Sequence, residues 1–204
     1  AGLTHWSPGL LPDQMAPGLR ETEFWTMPEL EAPDPQDRIN SSGAYGFVFD
    51  FCGIEIDRES GRARIDRYVT THDAGTRLNP ALVDGQIYGG FAHGVGAALY
   101  EEFAYASDGG FLCGTFADYL VPTPSEIPLP IIVHRDTPSP FTPLGSKWVG
   151  EGNTMRTPVC IAHAIADALD RDMHPLPATP PPLAPFTHGP EHAPAQPPPS
   201  TDHA

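Results

Sequence analysis

ALVDGQIYGGFAHGVGAALYEEFAY, residues 81–105, places Val83, Ile87, Phe91, Val95 and Leu99 four apart, the step that stacks side chains on one helix face. Asn79-Pro80 just upstream is a helix start, with a capping side chain followed by a residue whose fixed φ suits the first turn. The spacing predicts a helix of about six turns. Gly85, Gly89, Gly90, Gly94 and Gly96 lie inside it, each costing about 1 kcal/mol relative to Ala. Such a run calls for close backbone approach, either by a second helix or by a ligand lying on the helix, and glycine alone favours packing.

Upstream, Tyr45, Phe47, Phe49 and Phe51 alternate with the period of a strand, residues 58–62 read as a turn, and ARIDRYVTTHD (63–73) follows as a second strand. An antiparallel hairpin is expected. Downstream, FLCGTFADYL (111–120) and LPIIVHR (129–135) are strand-like. Thr157-Pro158 has the form of an N-cap and first helical residue before VCIAHAIADALDR (159–171). The fold class expected is α+β: antiparallel strands or hairpins, a long Gly-rich helix and a C-terminal helix. Prolines interrupt residues 1–39, where Trp6, Phe24 and Trp25 read as anchors of an extended, partner-wrapping arm. The ordered domain is expected over 40–180. A Pro/His-rich tail, 181–204, is expected to be disordered, with His174, His188, His192 and His203 at irregular spacing in and just before it.

The chain has 204 residues and a formal net charge of −15, and its basic residues are ten Arg and a single Lys, Lys147. Nucleic-acid and membrane-surface binding are therefore not expected. No apolar run approaches the roughly 20 residues of a membrane span, and no export signal opens the chain, so a cytoplasmic location is expected. Cys52, Cys113 and Cys160 are widely separated, which leaves no ligand set for an iron–sulfur cluster or structural zinc in this chain alone. They read as small buried hydrophobes, and no metal ligand is assigned to any side chain.

Familiar catalytic signatures are absent: Gly94-Val95-Gly96 sits mid-helix and cannot be a dinucleotide loop, and no GxxxxGK[ST], HExxH or GxSxG occurs. The segment LGSKWVGEGN (144–153) is more informative. It sets Glu151 between Gly150 and Gly152, which lets a carboxylate approach a reactant, and Trp148 and Val149 would tune it toward a general base if the loop were buried. A surface turn with a Lys/Glu pair is the alternative. Asp73 and Asn79 read as turn organisers, His72 and His93 as structural, and Glu101 and Glu102 as a solvated or partner-facing pair. Asn40-Ser41-Ser42 has the form of a glycosylation acceptor, relevant only on secretion.

Taken in order, THDAGTRLNP (71–80), VDGQIYGGFAHGVGAALYEE (83–102), ADYLVPTPSEIP (117–128), SPFTPLGSKWVGEG (139–152) and PVCIAHAIADAL with LPATP (158–180) resemble the xanthine dehydrogenase and aldehyde oxidase family of molybdenum hydroxylases. The resemblance is to the C-terminal part of the molybdopterin-binding large subunit, nearest the bacterial carbon monoxide dehydrogenase-like and caffeine dehydrogenase-like branch. It implies molybdopterin with molybdenum, in the cytosine dinucleotide form, shared with a partner chain. It further implies Gln86, Gly89, Gly90, Lys147 and Gly150 as cofactor-binding residues and Glu151 as the catalytic base. The implied partners are a larger molybdopterin-binding subunit, an iron–sulfur subunit carrying 2Fe–2S clusters and an FAD subunit. The implied reaction is hydroxylation of an electron-poor carbon, in an N-heteroaromatic ring or an aldehyde, with oxygen from water. Trp148 departs from the family, which has glycine after the lysine. That departure keeps a second reading open, a non-catalytic assembly or cofactor-delivery module.

Overall fold

In the computed structural model, residues 22, 24, 26–27, 29–172 and 175–179 are described. The chain divides into two compact units, Ala1–Gly43 and Ala44–Ala204. Trp6, Trp25, most of the expected arm, the tail and its histidines lie outside the described residues. In the first unit Asp34 organises a turn, its Oδ1 accepting from the Gln36 and Arg38 N–H groups at 2.9 Å, and Asn40 Nδ2 donates to the Glu29 carbonyl at 2.6 Å. Phe24 is exposed.

The second unit is α+β, with the order β1 (Phe47–Ile56), β2 (Ala63–Asp73), α1 (Pro80–Leu99), β3 (Ile131–His134) and α2 (Gly152–Ala168). β1 and β2 form the expected antiparallel hairpin, paired from Phe47 with Asp73 to Ile56 with Ala63, with an irregularity between Gly53 and Ile54. β3 adds to the free side of β2 but runs parallel to it, Val69 facing Ile131 and His72 facing His134. Parallel pairing requires a crossover, and α1 lies in that connection.

Two expectations are corrected. Residues 111–120 form no strand: Phe111 makes one isolated bridge to Tyr105, and beyond it Thr115 turns the chain, its hydroxyl donating to Asp118 at 2.7 Å and accepting from the Ala117 N–H at 3.2 Å. These local side-chain bonds displace an extended conformation that has no neighbouring strand to join. α2 begins at Gly152 rather than Pro158, which lies inside the helix. Pro158 has no N–H for the Thr154 carbonyl, and tertiary bonds of the first turn hold the helix across that gap.

The α1 stripe behaves as its spacing predicts: Ile87, Phe91, Val95 and Leu99 are buried. The Asn79 side chain caps the helix by accepting from the Leu82 N–H at 3.3 Å. The helix stops at Leu99, where the N–H groups of Tyr100 and Glu101 both bond to the Gly96 carbonyl. Glu101 is half-buried and accepts from the Tyr119 hydroxyl at 2.5 Å, whereas Glu102 is exposed. Phe91 meets Tyr68 of β2 with ring centroids 4.6 Å apart, and Ile161 and Ile165 of α2 complete the core. Ala178 closes it from outside, its N–H bonded to the Ala98 carbonyl at 2.7 Å. Cys52, Cys113 and Cys160 are free and half-buried, and burial pushes the Cys52 thiol up to about 12, so it stays uncharged. Among the described residues no helix is long and apolar enough to cross a membrane.

The glycines of α1 divide by face. A Cβ at Gly94 would stand 2.5 Å from Thr157 Cβ, and one at Gly90 would stand 3.3 Å from Asn153 Cβ and the Thr154 nitrogen, so these two let α2 cross closely. Gly85 and Gly89 have nothing within 4 Å of the same position. Gly94→Ala should therefore destabilise the fold by about 1–3 kcal/mol through overpacking. Gly89→Ala, in an exposed helical turn, should stabilise it by up to about 1 kcal/mol. Urea unfolding of the two variants checks this, and equal effects would contradict the division.

Candidate functional site

The N-terminal half of α1 and the start of α2 meet at Gln86 and Gly150. Gln86 projects from the exposed side of α1 beside Gly85 and Gly89, and its Oε1 lies 3.3 Å from where a Gly150 side chain would begin. Glu151 follows at the N-cap of α2 and is exposed. Its side chain makes no capping bond, so the carboxylate has no structural duty at the helix end. The structure thus brings Gln86 and Gly150 together, with Glu151 the next residue along the chain and Gly89 on the exposed side of α1 three residues on from Gln86. Gly90 is turned toward α2 and buried. Its missing side chain serves helix packing.

A loop lattice centred on Asp73 positions this junction. Asp73 Oδ1 accepts from the N–H groups of Gly75 and Thr137, both at 3.0 Å, and Oδ2 accepts from Lys147 Nζ at 2.8 Å and from the Thr137 hydroxyl. Lys147 also donates to Thr137 Oγ1 at 2.7 Å, and its side chain is only 10% exposed. The single lysine of the chain therefore anchors the loop rather than projecting into the junction. Its backbone joins in, the Lys147 N–H bonding to the Ala74 carbonyl at 2.8 Å and the Thr76 N–H to the Gly145 carbonyl at 2.9 Å. Gly75 and Gly145 adopt φ of +62° and +74°, and a Cβ at Gly75 would strike the Gly145 carbonyl.

Burial acts to raise the Asp73 pKa, but the Lys147 ammonium, the Thr137 hydroxyl and the two backbone donors outweigh it and hold the carboxyl well below the usual carboxylate range.

A second, buried set of bonds fixes the first turns of α2. Tyr68, Thr70 and His72 alternate along β2 and face the helix: the Tyr68 hydroxyl donates to Thr157 Oγ1 at 3.2 Å, and Asn153 Nδ2 donates to Thr70 Oγ1 at 3.1 Å. That orientation leaves Asn153 Oδ1 to accept from His72 Nε2 at 2.6 Å. Burial lowers the His72 pKa despite the Asn153 bond, so the ring is neutral with its proton on Nε2. A Cβ at Gly152 would stand 2.7 Å from Val48 Cγ2 and 3.3 Å from His72 Cε1, so bare backbone is needed there too. Asn153 was not singled out in the sequence. Its signal was a polar residue one turn into a helix, opposite alternating polar residues of a strand.

The premise of an apolar shield over Glu151 is not met: Trp148 is 74% exposed, and Glu151 itself is open to solvent. His93 is exposed and away from these bonds, while His134, which was not singled out, bonds through Nε2 to Asp84 Oδ1 at 2.8 Å. Among the described residues no group of three or more His, Cys, Asp or Glu is placed to hold a metal ion.

The Asp73 and Lys147 pair gives a pH test. Lys147→Met leaves a half-buried carboxylate without its cation, and a loss of about 1–3 kcal/mol is expected near neutral pH. The folded pKa of Asp73 is depressed, so its contribution is complete above the unfolded value of about 3.9 and is lost as pH falls through the folded value. The stability gap between wild type and variant should narrow below about pH 4 in urea unfolding. A gap constant from neutral pH to about pH 3 would contradict the assignment.

The described geometry can be set beside known proteins. A family model described as a molybdopterin cofactor-binding domain matches residues 5–128. The chain is 39% identical over 145 residues to the 6-hydroxypseudooxynicotine dehydrogenase complex subunit gamma of Paenarthrobacter nicotinovorans, covering 70% of this chain and 18% of the relative. It is 31% identical over 188 residues to the nicotine 6-hydroxylase large subunit of the same organism, covering 91% and 21%. Its structure superimposes on the aldehyde oxidoreductase of Desulfovibrio desulfuricans with a TM-score of 0.70 at 29% identity, over 78% of this chain and 17% of that one. The chain thus spans about a fifth of the length of the relatives it matches. With the matched model running through β1, β2 and α1, and the alignment over 91% of the chain taking in the Glu151 loop, this chain belongs to the family of molybdopterin-binding subunits of molybdenum hydroxylases.

Proposed function

We propose that this chain is a working part of a heteromeric molybdenum hydroxylase, in which Glu151 is the general base for hydroxylation of an electron-poor carbon in an N-heteroaromatic substrate. The observation that carries the reading is the junction itself. The exposed Gln86 amide lies against bare Gly150, beside the open Gly85 and Gly89 positions, with an uncommitted carboxylate one residue on. Those features fit a large planar cofactor that needs amide hydrogen bonds and backbone-level approach. Gln86 would bind it, Gly89 would admit it, and Gly150 would leave room beside its metal end. Gly90 and Lys147 would act indirectly, through α2 packing and through the Asp73 anchor. When bound, the molybdenum–pterin group, in its cytosine dinucleotide form, supplies oxygen activation and a two-electron acceptor. Electrons would leave through 2Fe–2S and FAD carried by partner subunits, alongside a larger molybdopterin-binding subunit.

Glu151 takes up a proton from water-derived oxygen as it attacks, and a carboxylate held only through its backbone at a helix start can do so without breaking a structural bond. The substrate class is supported by two relatives whose names refer to nicotine and 6-hydroxypseudooxynicotine. An aldehyde is the second substrate class, supported by the aldehyde oxidoreductase neighbour.

The exposed Trp148 supports a second reading, an assembly or cofactor-delivery module, because a large side chain replaces the glycine expected in the loop. Glu151→Gln separates the two. Its amide cannot accept the proton, so turnover of the intact complex should fall at least about 100-fold while its pterin content and subunit composition are unchanged. Undiminished turnover would overturn the role of Glu151 and favour the module.

A further inference from the structure

At the C-terminal end of α1 a cavity of about 230 Å³ lies between the start of β2, the last residues of the helix and the segment that leads into β3. From Gln86 to Leu99 the helix axis rises about 20 Å, so this cavity is well removed from the Gln86 and Gly150 contact. It follows from the way the helix stops. The N–H groups of Tyr100 and Glu101 both bond to the Gly96 carbonyl, and the chain turns away at Tyr100 with the first residues of β2 left as one wall. The floor is apolar: Ile65 and Leu99 belong to the buried core, and Ile127 packs against it.

The rim carries two opposite charges that are not in contact with each other. Arg62 is fixed through its backbone, its carbonyl accepting from the Asp57 N–H at 2.9 Å and its N–H donating to Ser60 Oγ at 3.2 Å. Among the described residues no carboxylate stands within ion-pair distance of its guanidinium, whereas the neighbouring Arg64 is paired with Glu55. Glu126 lines the same cavity. Its Oε2 accepts from the Thr123 N–H at 2.7 Å and from the Thr123 hydroxyl at 2.5 Å, which leaves Oε1 for another donor. The Thr123 hydroxyl and N–H, aided by the charge of Arg62, hold the Glu126 carboxyl below its usual range, so it is ionised. Burial raises the pKa of the Tyr100 hydroxyl against the opposing effect of Arg62 beside it, so the hydroxyl keeps its proton and can donate.

We propose that this cavity binds a free apolar α-amino acid, with its carboxylate on the Arg62 guanidinium and the Tyr100 hydroxyl, its ammonium on Glu126 and its hydrocarbon side chain against Ile65, Leu99 and Ile127. The ligand class follows from the lining. A guanidinium and a carboxylate that share one cavity without pairing are both satisfied by a zwitterion. A simple carboxylate would leave Glu126 facing a like charge, and a simple amine would do the same to Arg62. Water could solvate both charges but would leave the apolar floor wet. The volume is below the range of drug-sized ligand pockets, about 300–1,000 Å³, which limits the occupant to a small monomer.

The test is calorimetry on the full chain with L-leucine as the probe, for which a Kd of about 1 mM or tighter is expected. Isocaproate, which has the same hydrocarbon and carboxylate without the ammonium, and isoamylamine, which lacks the carboxylate, should each bind at least about 10-fold more weakly. Arg62→Gln and Glu126→Gln should each weaken L-leucine by a similar factor of about 10, with the far-ultraviolet circular dichroism unchanged. Arg58→Gln, in the same turn but outside the cavity lining, should leave the Kd unaltered. No binding of L-leucine up to about 20 mM would overturn the proposal. So would isocaproate or isoamylamine binding as tightly as L-leucine, which would make the cavity a plain anion or cation site. Unchanged affinity in folded Arg62→Gln and Glu126→Gln would place the amino acid elsewhere and overturn it too. Should those variants unfold, the three-ligand comparison on the wild-type chain decides, together with Tyr100→Phe, which removes only a hydroxyl and should weaken L-leucine about 3-fold or more. The readout is binding without turnover, so the result does not depend on the role of Glu151.

Discussion

The Asp73 carboxylate ties together three stretches of backbone that are separate in sequence. It terminates β2, accepts the N–H of Gly75 in the turn toward α1, accepts Thr137 beyond β3, and pairs with Lys147 in the loop before α2. A buried ion pair by itself is weak evidence of stability, because desolvation opposes the attraction. Here each Asp73 oxygen has at least two donors, which makes the pair a geometric constraint: the loop has one position relative to β2. That position carries through Gly150 to Glu151, and the His72 and Asn153 bond fixes the other end of the same segment. Glu151 is thus held by its backbone from both sides while its carboxylate stays free.

Two of the five glycines in α1 make sense once α2 is in place. Gly90 and Gly94 permit a close crossing against Asn153 and Thr157, and those two residues bond to β2, so the helix crossing and the polar seam are parts of one joint. Gly85 and Gly89 contribute nothing to that joint. Their helical cost has no return inside the described residues, and the exposed Gln86 between them marks the same stripe. Packing accounts for the α2 side of the helix, and the proposed cofactor access would use the other side.

Much of this fold was legible because its signals are local. The four-residue step from Val83 to Leu99, the Asn79-Pro80 start and the turn between two alternating runs each specify their element without help from distant residues. The misreadings share a cause. Thr157-Pro158 has the local form of a helix start, but Asn153, tied to Thr70 and His72, draws the helix back to Gly152. Residues 111–120 alternate like a strand and lack one to pair with, and the direction of β3 depends on a crossover that no periodicity records. At the site, Gln86 and Gly150, named through family resemblance, stand side by side, and Glu151, already marked by its flanking glycines, follows Gly150, whereas the Lys147 side chain, named for the cofactor, is bonded to Asp73. A pairing across 74 positions leaves no mark in either local sequence.

The central claim is that the junction of Gln86, Gly89, Gly150 and Glu151 serves a molybdenum–pterin group. Its most direct test is the molybdenum content, by elemental mass spectrometry, of the complex that co-purifies with this chain from its native source. The account predicts about one molybdenum per copy of the chain, lost when Gly89 is replaced by a bulky Leu that fills the open stripe without touching α2. An intact complex without molybdenum, or one whose molybdenum is unchanged by Gly89→Leu, would contradict it.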